Sequence, residues 1–309
     1  MRDARPPLSA VVGPTASGKT EATIAIARAF GAEICSVDSM LVYRGMDVGT
    51  AKPTPEQRAS VPHHLIDLAE PSERFTLARY QEEAREAIDD IAARGSHPML
   101  VGGSGLYFRA VVDGFVLPGE DPTVRAELEA EASAAGVGTL YARLEQLDPI
   151  AASKIDPSNV RRVVRALEVA AITGTPFSAF SEAWTRYDPG RVRVAGIRIE
   201  SQTLARRIGD RVSAMFAAGL LDEVRGLVER GFGSWLTSTQ AIGYSEVARH
   251  LDGRLSLEEA WEGTVRRTRN LARRQIAWFR RDPRVRWFDA GIDGAVDVAD
   301  DLVAFLRPT

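Results

Sequence analysis

The 309-residue sequence holds a single cysteine, Cys35. It can close no intrachain disulfide and build no cysteine-based zinc site, which fits a reducing compartment. Histidine is scarce too: His63, His64, His97 and His250 are the only four. None is spaced like a helical ligand pair, so they read as ordinary surface or core residues and no metal site is proposed from them. Long apolar runs are also missing. The first nine residues carry Arg2, Arg5 and two prolines and lead into only a brief apolar run, unlike a signal peptide or a membrane span. The expected place is the cytoplasm, off the membrane, and nothing demands more than a monomer. Excess charge of one sign is lacking as well: the formal net charge is -3, which by itself calls for no polyanionic partner, although a sum can hide local patches.

What is present is an ordinary globular composition, 45% hydrophobic and 26% charged, enough for one large core or two modest ones. Apolar runs at residues 8–12, 33–37 and 98–101 alternate with helical periodicity at 21–30 and 80–94, and glycine turns follow the strands. This alternation predicts an α/β fold with a mainly parallel sheet flanked by helices. From Asp121 to about Trp184 the sequence is rich in Ala, Glu, Leu and Arg at helical spacing without a convincing strand. That stretch reads as a helical insertion. Strand character returns from Arg191 to Ile199 and again at 285–288, so the sheet domain is expected to be discontinuous: residues 1–118 and 190–309 around an insertion at 119–189.

Gly13-Pro-Thr-Ala-Ser-Gly-Lys-Thr20 matches G-x-x-x-x-G-K-[ST] between a predicted strand and a predicted helix, the context the motif requires. Backbone N–H groups across Gly13, Pro14, Thr15, Ala16, Ser17 and Gly18 (Pro14 itself has none) can converge on one anion. The helix N-terminus adds partial positive charge. Lys19 is expected to neutralise a terminal phosphate, and Thr20 to offer its hydroxyl to Mg²⁺. Thr15 and Ser17 can add hydrogen bonds. Such a loop names a phosphate chain and not its owner; ATP, GTP and a diphosphate ester all qualify.

Asp38 ends the second predicted strand, at the sheet edge where open parallel sheets bind ligands. Three roles stay open on the local sequence: a water-mediated Mg²⁺ ligand, a general base for an incoming nucleophile, or a cap on the next turn. Farther on, residues 261–286 carry nine arginines against Glu262 and Asp282, a local charge of +7 in a chain of -3. On a helix Arg266, Arg269, Arg273 and Arg280 share one stripe and Val265, Thr268, Ala272, Ile276 and Phe279 another. One face packs; the other is either solvated or meets phosphates.

The segment Val37-Asp-Ser-Met-Leu-Val-Tyr-Arg-Gly-Met-Asp-Val-Gly-Thr-Ala-Lys-Pro53 resembles, nearly residue for residue, the signature of the tRNA dimethylallyltransferase family. Gly102-Gly-Ser-Gly-Leu-Tyr107, Asn159-Val-Arg-Arg-Val-Val-Arg-Ala-Leu-Glu168, Gly219-Leu-Leu-Asp-Glu-Val-Arg225, Ala241-Ile-Gly-Tyr-Ser-Glu246 and Arg273-Arg-Gln-Ile-Ala-Trp-Phe-Arg280 are similar to its later motifs, in its order. The resemblance implies a P-loop NTPase-like fold. It implies transfer of a dimethylallyl group from dimethylallyl diphosphate to N6 of the adenosine at position 37, beside the tRNA anticodon. It casts the loop as the diphosphate cradle, Asp38 as the base, and Thr15 and Arg225 as donor-holding groups. By the same resemblance Asp38, Ser39, Met40, Leu41, Ser104, Arg125, Arg161, Arg162, Arg165, Gln240, Gly243, Tyr244, Arg273, Arg274, Gln275 and Arg280 would contact the anticodon stem-loop. Two positions depart from the pattern: Ser104, where the family often has Thr, and Arg161, where Gln is usual.

Three other classes remain to be weighed. An adenylate isopentenyltransferase would not need the +7 segment or so large an insertion. A P-loop kinase or ATPase would use Asp38 for Mg²⁺ and turn over ATP, and a non-catalytic RNA-binding protein would not need both Lys19 and Asp38.

Overall fold

The computed structural model describes residues 6–115, 117–180, 186–188 and 192–307. Arg2, Arg5, Trp184 and Arg191 lie outside them. Packing divides the chain into two units, one made of Met1–Gly114 with Asp188–Thr309 and the other of Phe115–Tyr187.

The first unit begins with β1 (Leu8–Val12), α1 (Lys19–Phe30), β2 (Ala32–Val37), α2 (Pro55–Ser60), β3 (His63–His64), α3 (Leu77–Ala93), β4 (His97–Gly102) and α4 (Gly105–Val112). The second unit holds α5 (Pro122–Ala135), α6 (Val137–Leu147), α7 (Pro149–Ala152) and α8 (Val160–Thr173). The chain then returns with β5 (Val192–Ile199), α9 (Ser201–Ala217), α10 (Leu220–Glu229), α11 (Tyr244–Leu251), α12 (Leu257–Phe279), β6 (Val285–Ala290) and α13 (Ala299–Leu306).

The six strands form one sheet in the order β3-β2-β4-β1-β5-β6, and every neighbouring pair is parallel. A parallel sheet is covered on both faces, so its strands need continuous apolar runs instead of alternation. β1 (LSAVV) and β2 (AEICSV) are buried at every position. One face packs on Tyr43, Met46, Tyr80, Phe108, Tyr244 and Phe279; the other packs on Ile26, Leu204, Ile208, Val265, Ala272 and Leu302. In register, Val12 of β1 lies opposite Gly102 of β4 and Gly196 of β5. The carboxyl ends of β1, β2 and β4 therefore open together onto one edge, from which the Gly13–Thr20 loop, Asp38 and Gly103 emerge.

The second unit closes on its own cluster of Leu140, Leu144, Val163, Val164 and Leu167. No strand occurs among its described residues. Asp121, where the helical composition begins, starts α5 by accepting from the Thr123 and Val124 amides at 2.8 and 3.2 Å, with Pro122 in the first turn. No helix among the described residues is long and apolar enough to cross a membrane.

Candidate active site

The carbonyls of the loop between β1 and α1 are held by its own Lys19 and by two residues from elsewhere in the chain. Lys19 Nζ donates to Gly13 O at 3.0 Å and Pro14 O at 2.6 Å, Arg207 Nε to Ala16 O at 2.8 Å, and the Ala295 amide to Ser17 O at 2.8 Å. With the carbonyls tied outward, the amides of Ala16, Ser17 and Gly18 are left without an acceptor among the described residues. That is the polarity an anion cradle needs. Gly18 has φ 77°, and a Cβ there would stand 3.1 Å from the Ala295 amide. Ala16 accepts the same left-handed conformation at φ 62°. Thr15, Ala16, Ser17, Gly18, Lys19 and Thr20 line the cleft; Gly13 and Pro14 do not.

Lys19 also donates to Ser17 Oγ at 3.2 Å. Burial, reinforced by the charge of Arg211 and opposed by Asp38 and Glu21, lowers its pKa to about 7. A bound polyanion would restore the charge.

The cleft measures about 760 Å³ and lies wholly in the first unit. Asp38 lines it at the end of β2, and its Oδ1 accepts from the Met40 amide at 2.8 Å. The capping role is thus real, and it occupies one carboxylate oxygen while leaving the other to the cleft. Leu41 also lines the cleft; Ser39 and Met40 are half-buried at its edge. The Thr20 hydroxyl and the Asp38 carboxylate are hard oxygen donors of the kind Mg²⁺ takes together with phosphate oxygens and water. Among the described residues no cluster of three or more acidic, histidine or cysteine side chains could cage a metal unaided.

Arg225 does not reach this cleft. It is half exposed on α10 and pairs with Asp222 one turn away. Two arginines line the cleft: Arg58 is paired with Asp67 at 2.8 Å, whereas Arg211 on α9 makes no hydrogen bond or ion pair among the described residues. Burial lowers its pKa, the Asp38 and Glu21 carboxylates oppose the shift, and an arginine stays charged regardless. In the sequence Arg211 is one of three α9 arginines, with Arg206 and Arg207; packing is what sets it beside the buried stripe of Leu204, Ile208 and Val212.

Another wall of the cleft, within residues 47–53, is fixed by Glu223. Its carboxylate accepts the Asp47 and Val48 amides at 2.8 Å each, the Gly49 amide at 3.2 Å and the Tyr244 hydroxyl at 2.5 Å. Lys52, 1% exposed at its side chain, donates to Tyr43 O at 2.7 Å and pairs with Asp47 and Asp67 at 2.5 and 2.7 Å. Tyr244 is fully buried, and burial with the adjacent Glu223 charge pushes its phenol well up. Gly243 is buried too, its amide bonded to Glu246 at 2.9 Å. Neither is placed to touch an RNA in this structure; both were expected to because a family motif does not separate residues that shape a surface from residues that form it. Gln240, in contrast, is exposed.

On α12, Arg266, Arg269, Arg273 and Arg274 are exposed, as is Arg280 at its end, while Val265, Ala272 and Phe279 are buried. Two of the nine arginines are spent internally: Arg267 pairs with Glu246, and Arg284 is buried against Asp113 and Asp282. Gln275 points inward and accepts from the Thr15 amide at 2.8 Å. Ser104 is half-buried at the N-terminus of α4 with no cap bond from its side chain. In the second unit Arg161 and Arg162 are exposed, but Arg125 and Arg165 converge on the fully buried Glu168, at 2.5 and 2.8 Å. Arg165 further donates to Pro118 O and Gly119 O. Those two arginines hold their unit together.

A glycine-rich loop on a parallel sheet, an acidic residue just past the next strand end and a half-buried arginine without an ion-pair partner define a P-loop α/β protein with a cleft suited to an anion. The IPP transferase family model matches residues 41–282. The tRNA dimethylallyltransferase of Roseiflexus castenholzii is 50% identical over 299 residues, 96% of this chain and 97% of that one. Among solved structures, the tRNA isopentenylpyrophosphate transferase of Bacillus halodurans is 41% identical with a TM-score of 0.70, covering 98% and 97% of the two chains. A eukaryotic dimethylallyltransferase acting on tRNA is 26% identical with a TM-score of 0.77, covering 94% of this chain and 74% of that one. The chain belongs to the IPP transferase family.

Proposed function

We propose that this protein is a tRNA prenyltransferase that moves the dimethylallyl group of dimethylallyl diphosphate to the exocyclic N6 of adenosine 37, next to the anticodon, and releases diphosphate. The observation that carries the reading is the cleft itself. Anion-directed amides, Lys19 and the unpaired Arg211 stand on one side and the Asp38 carboxylate on the same strand edge, within a family whose relatives are named for this reaction.

The chemistry follows from those groups. The C1–O bond of the donor breaks as C1–N6 forms, and negative charge collects on the departing diphosphate. Loop amides, Lys19 and Arg211 gain more from that charge than from the bound ester, so they lower the barrier. An adenine amine is a poor nucleophile, and the free oxygen of Asp38 takes the N6 proton as positive charge develops there. Thr15 lines the cleft beside the loop and can hold the donor. The Thr20 hydroxyl would help hold Mg²⁺, which would supply further charge neutralisation to the leaving group. No nucleotide is hydrolysed. The exposed arginines of α12, with Arg161 and Arg162, supply sequence-independent attraction to RNA phosphates. The target base must also leave its stack to enter a cleft of this depth.

Labelled dimethylallyl diphosphate incubated with the protein and either tRNA or AMP tests the reading. Label in tRNA alone is expected; label in AMP alone, or ATP hydrolysis without prenyl transfer, contradicts it.

A further inference from the structure

Gln275 sits in a stretch of α12 whose neighbours, Arg273 and Arg274, are exposed cations. By position it belongs to the RNA-facing helix. Its side chain does something else: only 9% of the residue is exposed, Oε1 accepts from the Thr15 amide at 2.8 Å, and the side chain lines the donor cleft. Gly103 makes room for it, because a Cβ there would lie 2.2 Å from Gln275 Nε2. Thr15 is also the loop residue whose amide is already satisfied, whereas those of Ala16, Ser17 and Gly18 are left to an anion. A loop whose carbonyls are tied by Lys19, Arg207 and Ala295 needs one acceptor to fix the amide side where the cradle starts.

We infer that Gln275 is a positioning residue of the diphosphate site: it holds the Thr15 end of the loop in the anion-binding conformation and makes no contact with tRNA. α12 then serves two substrates with two faces, its arginines outward to RNA and Gln275 inward to the donor loop. A preorganised cradle loses affinity when its support goes, because the loop must then be ordered by the ligand itself. The inference rests on the loop being the donor's diphosphate site.

The test uses the full chain with Gln275→Met, which keeps the volume and removes the acceptor, and Gln275→Ala, which removes both. Binding of inorganic diphosphate and of dimethylallyl diphosphate is measured without tRNA, and tRNA anticodon stem-loop binding is measured separately. Loss of one hydrogen bond predicts roughly tenfold weaker binding of both diphosphates in each variant, a KM for the donor raised by the same factor, and tRNA affinity within about twofold of wild type. Unchanged diphosphate binding in Gln275→Met overturns the inference, as does weakened tRNA binding with diphosphate affinity intact. Wild-type protein that binds neither diphosphate contradicts the donor-site assignment itself, a result distinct from wild-type binding that the variants share.

Discussion

The Tyr244 hydroxyl donates to Glu223 at 2.5 Å while the tyrosine ring covers Gly49, so a half-buried carboxylate on α10 and a buried phenol on α11 together fix one wall of the cleft. A Cβ on Gly49 would stand 2.4 Å from Tyr244 Cε2, which is why no larger residue fits beneath that ring.

Tyr244→Phe should therefore leave tRNA affinity within about twofold, since the residue is fully buried, yet lower stability by about 1 kcal/mol through the lost hydrogen bond. Denaturant unfolding and stem-loop binding on the same preparation check both parts.

Glu223→Ala removes the acceptor for three consecutive amides and the phenol. The expected cost is roughly 2–3 kcal/mol, and Gly49→Ala should cost about 1–3 kcal/mol by overpacking. Thermal melts measure both; unaltered melting of Glu223→Ala would mean that water replaces the carboxylate.

Arg211→Ala and Arg225→Ala separate the two candidate donor cations. Removing Arg211 should lower kcat/KM for the donor about 10²-fold, and removing Arg225 should change it by less than about twofold, because that side chain is half exposed and held by Asp222. Steady-state kinetics with saturating tRNA decides between them.

Donor affinity should fall as pH rises above 7. Lys19 has its pKa lowered to about 7 by burial and Arg211, so the free protein sheds this proton as pH rises through about 7. A bound diphosphate favours the ammonium and raises that pKa, so binding takes up a proton wherever the free lysine is neutral. Affinity is highest below the free-state value and declines above it. Calorimetric titrations in buffers of different ionisation enthalpy should show proton uptake at pH 8 that vanishes in Lys19→Met.

Arg273→Ala combined with Arg274→Ala should weaken tRNA binding and reduce the slope of log affinity against log salt by about 1–2. Both side chains are exposed. Donor binding measured without tRNA should not change.

Much of this was readable in the residues. The run at 8–12 is β1, and helix starts and strand ends fall within a few residues of their periodic patterns. β3 is two residues long, too short to carry a pattern. The phosphate loop and Asp38 were legible because their chemistry is local. Arg211 was not, because its importance comes from where α9 lies across the sheet. Likewise Arg125 and Arg165 read as free cations until Glu168 is seen buried between them, and Tyr244 and Gln275 read as surface groups until their helices are packed. Motif order identifies a family, but burial decides which members of a motif face a ligand.

Asp38→Asn tests the general base with least disturbance, because the amide oxygen can still accept from Met40 and keep the turn while no longer taking a proton. Single-turnover prenyl transfer at saturating tRNA and dimethylallyl diphosphate should slow by about 10²-fold or more, with both affinities within a few-fold of wild type. Transfer at the wild-type rate would remove the general base from the account.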